Sequence, residues 1–406
     1  MRILHIDKFL PGWGYGGGVE SCIDAMTAAQ RARGHNVMEF GTARGDDAPE
    51  MPRFFDFAAS RSPWNLPRMI HNGAAAGKLE KLLQSCKVDI AHVHSIYHHL
   101  TPSILPVLAR RRIGIVMQMH DYRLACPAKH FLRPRDGVHC MRCHPNKYFH
   151  AAGGGCAGLA GAGSAVESYI SRLTRSYFRL VDFFVCPTRF MRGIMRRIGA
   201  PRSKLIVLRN MVSAPARNLR QAEIPRRVLF AGRMSPEKAP EMMLDLAERV
   251  EKIEVILAGD GPMLDELRRS AAGRGLDNVT FTGHVSCDEV GALIYSSSAV
   301  IVTSRWLENS TMTMLEAMLA GRCVIVPDRG PLREWIEDGQ TGRLFAPDDI
   351  DSLVTVTQEV LSNAAKRHRM ARAGKKLATA RHEPDLIADR LEILYREASA
   401  RCALRW

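Results

Sequence analysis

Short apolar runs alternate with stretches of helical period along the whole chain. Residues 2–6, RILHI, are a short apolar run followed by the glycine-rich PGWGYGGGVE. A helical pattern through Ile23, Met26 and Ala29 comes next and ends at Gly34, and HNVMEF reads as the following strand, so the chain opens with a β-loop-α-β unit. Further apolar runs at VDIAHVH (88–94), GIVMQMH (114–120) and DFFVCPT (182–188) predict a parallel sheet covered by helices. The polar, proline-bearing stretch 210–227 has no period and reads as a linker. After it, RVLFAG (227–232), IEVILAG (253–259), VTFTG (279–283), SAVIVTS (298–304) and CVIVPD (323–328) alternate with helical stretches and predict a second doubly wound α/β domain. At 406 residues the chain is too long for one ordinary core. The expected organisation is 1–212 as a first domain with a cysteine-bearing insert at 126–163, a linker at 213–226 and a second domain at 227–383. A final helix within 384–406 is expected to pack back towards the first domain. Two facing α/β domains leave a cleft, and ligands of such sheets bind at the carboxyl ends of strands.

Composition narrows the class. Hydrophobic residues make up 46% of the chain, as in a globular protein, and no run of membrane-spanning length appears. Asp7, Lys8 and early glycines interrupt the opening where a signal peptide needs an unbroken apolar core, so a cytosolic protein is expected. In that compartment ten cysteines read as reduced thiols or metal ligands rather than a disulfide framework. The net charge of +15 is concentrated in places: Phe183 to Arg209 holds seven basic residues and no acidic one. Nucleic acid, an anionic membrane or phosphorylated substrates would each suit such a patch. No nucleic-acid-binding signature accompanies it, so nucleic acid is not an expected partner.

The strand-end loops carry the candidate chemistry. They include Gly16-Gly17-Gly18, His120-Asp121, GRMSPEK (232–238), GDGP (259–262), GHVS (283–286) and SRWLENST (304–311). Arg233 and Lys238 on one loop either reach a diphosphate or are solvated charges. A helix starting near Ser310 or Thr311 offers unpaired N–H groups and a positive dipole end to an anion. Glu308 and Glu316 stand eight residues apart, the second among Met314, Leu315, Met318 and Leu319. A carboxylate there lies on an exposed stripe or needs a polar partner. The glycine triplet is no dinucleotide fingerprint.

Taken in order, these segments resemble the retaining glycosyltransferases of family four, which have the GT-B fold of two facing Rossmann-like domains. The resemblance rests on LFAGRMSPEKAPEMMLDLAERV, ILAGDGPMLDEL, VTFTGHVSCDEVGALIYSSSAVIVTS, the pair Glu308/Glu316 and GRCVIVPDRGPLREWIEDGQTGRLF. In the first half GGVESCIDAM and DIAHVHSIYHHLTPSILPVLARRRIGIVMQMHDYRLACP add to it. The resemblance implies a nucleotide-sugar donor, UDP- or GDP-linked, with Glu308 approaching the transferred sugar and Glu316 accepting hydrogen bonds from the ribose hydroxyls. It implies that Arg233, Lys238, the loop Gly17-Gly18 and the helix N-terminus at Asn309, Ser310 and Thr311 hold the diphosphate. Backbone near Gly261 and Val285 would read the base, and His120 would sit beside the sugar. His120 is otherwise a histidine satisfied at a strand end. No Asp-x-Asp pair stands at a strand end, in keeping with a reaction that needs no catalytic metal. The expected function is transfer of a sugar to a glycan or lipid-linked precursor in bacterial surface polysaccharide synthesis. The basic segments at 110–112 and 189–209 would dock on the anionic inner face of the membrane. The alternatives are a sugar-nucleotide epimerase or hydrolase of the same fold, or a non-catalytic nucleotide-sugar binder. Two departures stand out. Asn309 to Thr313 replaces the usual glycine-phenylalanine-glycine run, and Ala239 stands where the Arg233/Lys238 loop often has glycine.

Cys126, Cys140, Cys143 and Cys156, spaced C-x13-C-x2-C-x12-C, suit a tetrahedral structural zinc. A subset of the family carries a comparable insert. Buried thiols and a reversible disulfide are the other readings, and His139 and His144 are substitute ligands.

Overall fold

The computed structural model describes residues 1–10, 17–42, 54–55, 66–133, 136–144, 147, 149–153, 156 and 162–404. Gly16 and the glycine-rich residues 157–161 lie outside the described residues. The chain forms two compact units. One comprises Met1–Lys129, Met141–Met211 and Pro384–Trp406; the other comprises His130–Cys140 and Val212–Glu383.

Among the described residues the first unit is built on a parallel sheet of seven strands: β1 (Arg2–Phe9), β2 (Asn36–Thr42), β3 (Phe54–Phe55), β4 (Ile90–Val93), β5 (Gly114–Gln118), β6 (Phe183–Cys186) and β7 (Leu205–Val207). Their spatial order is β3-β2-β1-β4-β5-β6-β7, so the winding reverses between β1 and β4. Every residue of β4, β5 and β6 is buried, which is why these strands read as continuous apolar runs rather than alternating ones. The C-terminal helix Pro384–Ala403 packs on β5 and on the helix Gly18–Ala32. It buries Tyr395 completely, and Arg33 holds its first turns through Asp385 at 3.1 Å, Asp389 at 2.6 Å and Glu392 at 3.1 Å.

The second unit has six parallel strands: β8 (Arg227–Ala231), β9 (Glu254–Ala258), β10 (Val279–Gly283), β11 (Ala299–Ile301), β12 (Cys323–Pro327) and β13 (Arg343–Phe345). Their order is β10-β9-β8-β11-β12-β13, which sets the reversal between β8 and β11. The stretch read as a linker, 213–226, is held to this unit. It contains a 3-10 turn at Arg217–Leu219, and Glu223 gathers Arg322 (2.7 Å), Arg367 (2.5 Å) and the hydroxyl of Ser298 (3.0 Å). The cysteine insert also departs from expectation. Sequence position puts it in the first domain, yet residues 130–140 belong to the second unit. The cause is local packing: the His130 ring meets the Trp306 ring edge-on at 4.1 Å, and Leu307 N donates to the His130 carbonyl at 3.5 Å. No helix among the described residues is long and apolar enough to cross a membrane.

Candidate active site

In a doubly wound sheet the loops leaving the two strands at the reversal diverge and open a crevice. In the second unit those loops follow β8 and β11, and they carry Arg233, Lys238 and Glu308. Lys238 Nζ lies 2.6 Å from Glu308 Oε1, and the Ser304 hydroxyl donates to the same oxygen at 2.6 Å. Glu308 is only 4% exposed. Burial opposes its ionisation, but the charge and hydrogen bond of Lys238, with Ser304, outweigh burial and hold the carboxyl below its ordinary range. The Thr303 hydroxyl donates to the Lys238 carbonyl at 2.7 Å, which ties the two loops together. Ala239, next in the chain, takes the left-handed conformation at φ 49°, so the geometry glycine usually supplies is kept here with a side chain present. Arg233 is exposed and makes no ion pair among the described residues.

The loop after β9 fits against the loop after β8 with no room for side chains. A Cβ on Gly259 would lie 2.0 Å from the Gly232 carbonyl oxygen, and one on Gly261 would lie 2.4 Å from that of Met234, both at positive φ. The structure therefore gives Gly261 a packing reason for being glycine. Val285, after β10, packs against the core cluster under the Met312–Ala320 helix.

That helix is apolar on most faces, with Met314, Leu315, Ala317, Met318 and Leu319 buried, and Gly321 ends it in the left-handed conformation. Thr311 stands at its N-cap without a side-chain cap bond. Among the described residues the buried hydroxyl oxygens of Ser310 and Thr311 have no hydrogen-bond partner, and neither does that of Ser235 on the facing loop. Asn309 is buried beside them. Orphaned hydroxyls at an uncapped helix start are what a bound polar group would satisfy. Glu316, one turn into the helix, makes no hydrogen bond or ion pair among the described residues, and burial raises its pKa to about 7. It is half-buried, on the same partly exposed stripe as Met312, Thr313 and Ala320, and meets no partner among the described residues.

In the first unit, Gly17 is the extended N-cap of the helix that begins at Gly18. Asp7, near the end of β1, accepts from Ser95 N at 2.7 Å and Phe9 N at 3.1 Å, and burial pushes its pKa up to about 7. Sequence reasoning passed it over, although a charged residue inside a buried run was a usable signal. His120 is half-buried; its Nε2 lies 2.9 Å from His94 Nδ1, and burial lowers its pKa to about 4.

The four insert cysteines are divided: Cys140 belongs to the second unit and the other three to the first. Cys143 and Cys156 pack together with Ala151. Among the described residues, His5, His92 and His94 lie close enough together to share a metal ion.

Residues 216–377 match the family described as glycosyl transferases group 1, and residues 16–214 match the one described as glycosyltransferase family 4. The chain belongs to glycosyltransferase family 4. Among its relatives are the alpha-D-kanosaminyltransferase of Streptomyces kanamyceticus, 30% identical over 42% of this chain and 45% of that one, and the glycogen synthase of Mycobacterium tuberculosis, 26% identical over 67% and 66%. The lipopolysaccharide 1,2-N-acetylglucosaminetransferase of Salmonella typhimurium is 29% identical over 44% and 51%. The chain thus spans about half to two thirds of the length of these curated relatives. Solved structures of the GT-B type superpose over nearly all of it. Anabaena HepE in complex with UDP and glucose gives a TM-score of 0.70 at 18% identity, covering 98% of this chain and 100% of HepE. The sucrose-phosphate synthase of Thermosynechococcus elongatus gives 0.73 at 16%, covering 99% and 100%. Both matched families are described as glycosyltransferases, and between them their models cover most of the chain.

Proposed function

We propose that the protein is a retaining glycosyltransferase that moves a sugar from a UDP- or GDP-sugar to a glycan or lipid-linked acceptor without a catalytic metal. The observation that carries this reading is the pairing of Lys238 with the buried Glu308, together with the hydroxyls of Ser310 and Thr311 and the carboxyl of Glu316, which have no partner among the described residues. Cleaving a sugar–phosphate bond builds negative charge on the leaving diphosphate and positive charge on the anomeric carbon. Arg233, Lys238 and the helix start at Ser310 and Thr311 answer the first charge. Glu308, held ionised, answers the second, and the ribose hydroxyls satisfy Glu316. Gly17 and Gly18 join in holding the diphosphate, Gly261 and Val285 lie on the loops assigned to the base, and His120 is assigned the place beside the transferred sugar. Retention follows if the departing phosphate oxygen takes the acceptor's proton on the same face.

The Salmonella relative's action on lipopolysaccharide, and a phosphatidylinositol mannoside mannosyltransferase from Mycobacterium tuberculosis that uses GDP-mannose, support a surface-glycan acceptor and a cytoplasmic enzyme that visits the membrane. The helix Arg189–Arg197 is the element proposed to dock. It buries Met191, Ile194 and Met195 and carries Arg189, Arg192, Arg196 and Arg197. Cosedimentation with vesicles that rises with their anionic lipid content is expected; indifference to that content removes the docking proposal. A structural zinc on Cys126, Cys140, Cys143 and Cys156 requires zinc in the purified chain that Cys143→Ser loses. The reaction itself is tested by release of nucleoside diphosphate, which must require acceptor. Release without acceptor would point to a hydrolase, and epimerised sugar nucleotide to an epimerase.

A further inference from the structure

The buried His5 and His94 of the first unit form a hydrogen-bonded chain that ends at the half-buried His120, and the buried His92 joins it through Tyr395 and Gln30. His5 on β1 and His92 on β4 are paired in register, and His94 follows two residues later on the same face. His5, His92 and His94 are at most 3% exposed. His94 Nδ1 lies 2.9 Å from His120 Nε2, and His94 Nε2 lies 3.0 Å from His5 Nδ1. His5 Nε2 lies 2.8 Å from Gln30 Oε1, and Gln30 Nε2 donates to the Tyr395 hydroxyl at 3.1 Å. That hydroxyl lies 2.7 Å from His92 Nδ1, and the Gln118 side chain also bears on the buried His92 ring. The rings of His5 and His94 are 14° from parallel, with centroids 5.3 Å apart and facing nitrogens much closer, so the nitrogens meet end to end. His5, His92 and His94 are near enough to share a metal ion, but two of the facing nitrogens already occupy each other in a hydrogen bond of ordinary length.

Burial keeps all four rings neutral at ordinary pH, with His5 at about 4 and His92 and His94 pushed well below the usual value. A neutral imidazole carries one hydrogen, so each ring donates at one nitrogen and accepts at the other. With the amide oxygen of Gln30 assigned to face His5, that oxygen accepts, so His5 carries its hydrogen on Nε2 and leaves Nδ1 bare; the opposite amide orientation would reverse every bond along the chain. His94 must then donate from Nε2 and accept at Nδ1, and His120 must donate from Nε2. At the other end Tyr395 accepts from Gln30, gives its own hydrogen to His92 Nδ1, and leaves that ring protonated on Nε2.

We propose that Gln30, acting through His5 and His94, is a positioning device that fixes His120 in its Nε2–H tautomer and leaves Nδ1 bare as the acceptor that ring offers the reaction. Its catalytic consequence rests on the reading of His120 as an active-site residue. The tautomer itself does not depend on that reading.

The experiment is imidazole 15N NMR on the intact chain, together with transfer kinetics. Wild-type protein should show His5, His94 and His120 neutral and protonated on Nε2. Protonation of His120 on Nδ1 would overturn the proposal with no variant needed. Gln30→Met and His94→Leu each break the chain. Each should give mixed tautomers at His120 and lower kcat about tenfold with donor KM within about twofold, a smaller loss than deleting an acid–base group outright. An unchanged His120 tautomer in both variants would also overturn it. His120→Ala separates the two questions: full activity there removes His120 from the active site and leaves the tautomer result standing.

Discussion

Lys238 and Glu308 are worth more to each other than either is alone, because only the pair makes a buried carboxylate tolerable. Glu308 is held below its ordinary pKa, so its contribution to stability is present above the unfolded value of about 4.5 and is lost as pH falls through the folded one. Lys238→Met removes the compensation and reverses the sign, since burial then raises the pKa. The variant should be less stable by about 3–5 kcal/mol near neutrality, with the deficit shrinking towards acid, as read by denaturant unfolding at several pH values. A deficit independent of pH would mean that Glu308 is not its source. Glu316 is the opposite case. With its pKa raised to about 7, it contributes stability below about 4.5 that is lost as pH rises through 7. Glu316→Gln should therefore stabilise the unliganded protein above pH 7 by about 1–3 kcal/mol, because each tenfold change in a group's acidity on folding is worth ~1.4 kcal/mol. If ribose hydroxyls donate to this carboxylate, nucleotide affinity should fall as pH drops below 7 in the wild type and stay flat in the variant. Both carboxylates stand out in the sequence, as does the spacing between them. Their ionisation does not, because it depends on Lys238, 70 residues away, in one case and on an absent partner in the other.

Segment 130–140 shows what a one-dimensional reading misses. Its residues lie among the insert cysteines, but its structural place is set by the His130–Trp306 contact and by an antiparallel bridge between Leu132 and His139. Trp306 in turn lies under Lys238, whose Nζ is 4.8 Å from the ring centroid. The segment therefore buttresses the loop that holds Glu308. His130→Ala should cost about 0.5–1.5 kcal/mol, the usual worth of an aromatic pair, and lower kcat/KM for donor by several-fold. Unchanged kinetics would reduce the contact to packing. Most strands were legible as apolar runs, β11 among them because its three residues sit in the longer run 298–304, whereas β3, β7 and β13, of two or three residues, were not read as strands. The histidine chain hid for a related reason. In a strand buried on both faces, His5, His92 and His94 look like isolated interruptions until β1 and β4 are laid in register.

Across the whole molecule, two doubly wound sheets of the same winding were legible because βα alternation is repeated and the linker between them lacks period. Charge acts at this scale as well, since a net +15 favours encounter with phosphorylated donors and anionic surfaces alike. The central claim is narrower: Arg233, the Lys238–Glu308 pair and Glu316 form a nucleotide-sugar site on the second unit. Calorimetric titration of UDP, GDP and ADP and their common sugar conjugates into wild type, Arg233→Ala and Glu316→Ala tests it most directly. The account predicts that one nucleotide class binds and that each variant weakens it about tenfold or more, the loss expected for a charge-assisted hydrogen bond. Binding of none of them, or equal binding by wild type and both variants, would contradict it.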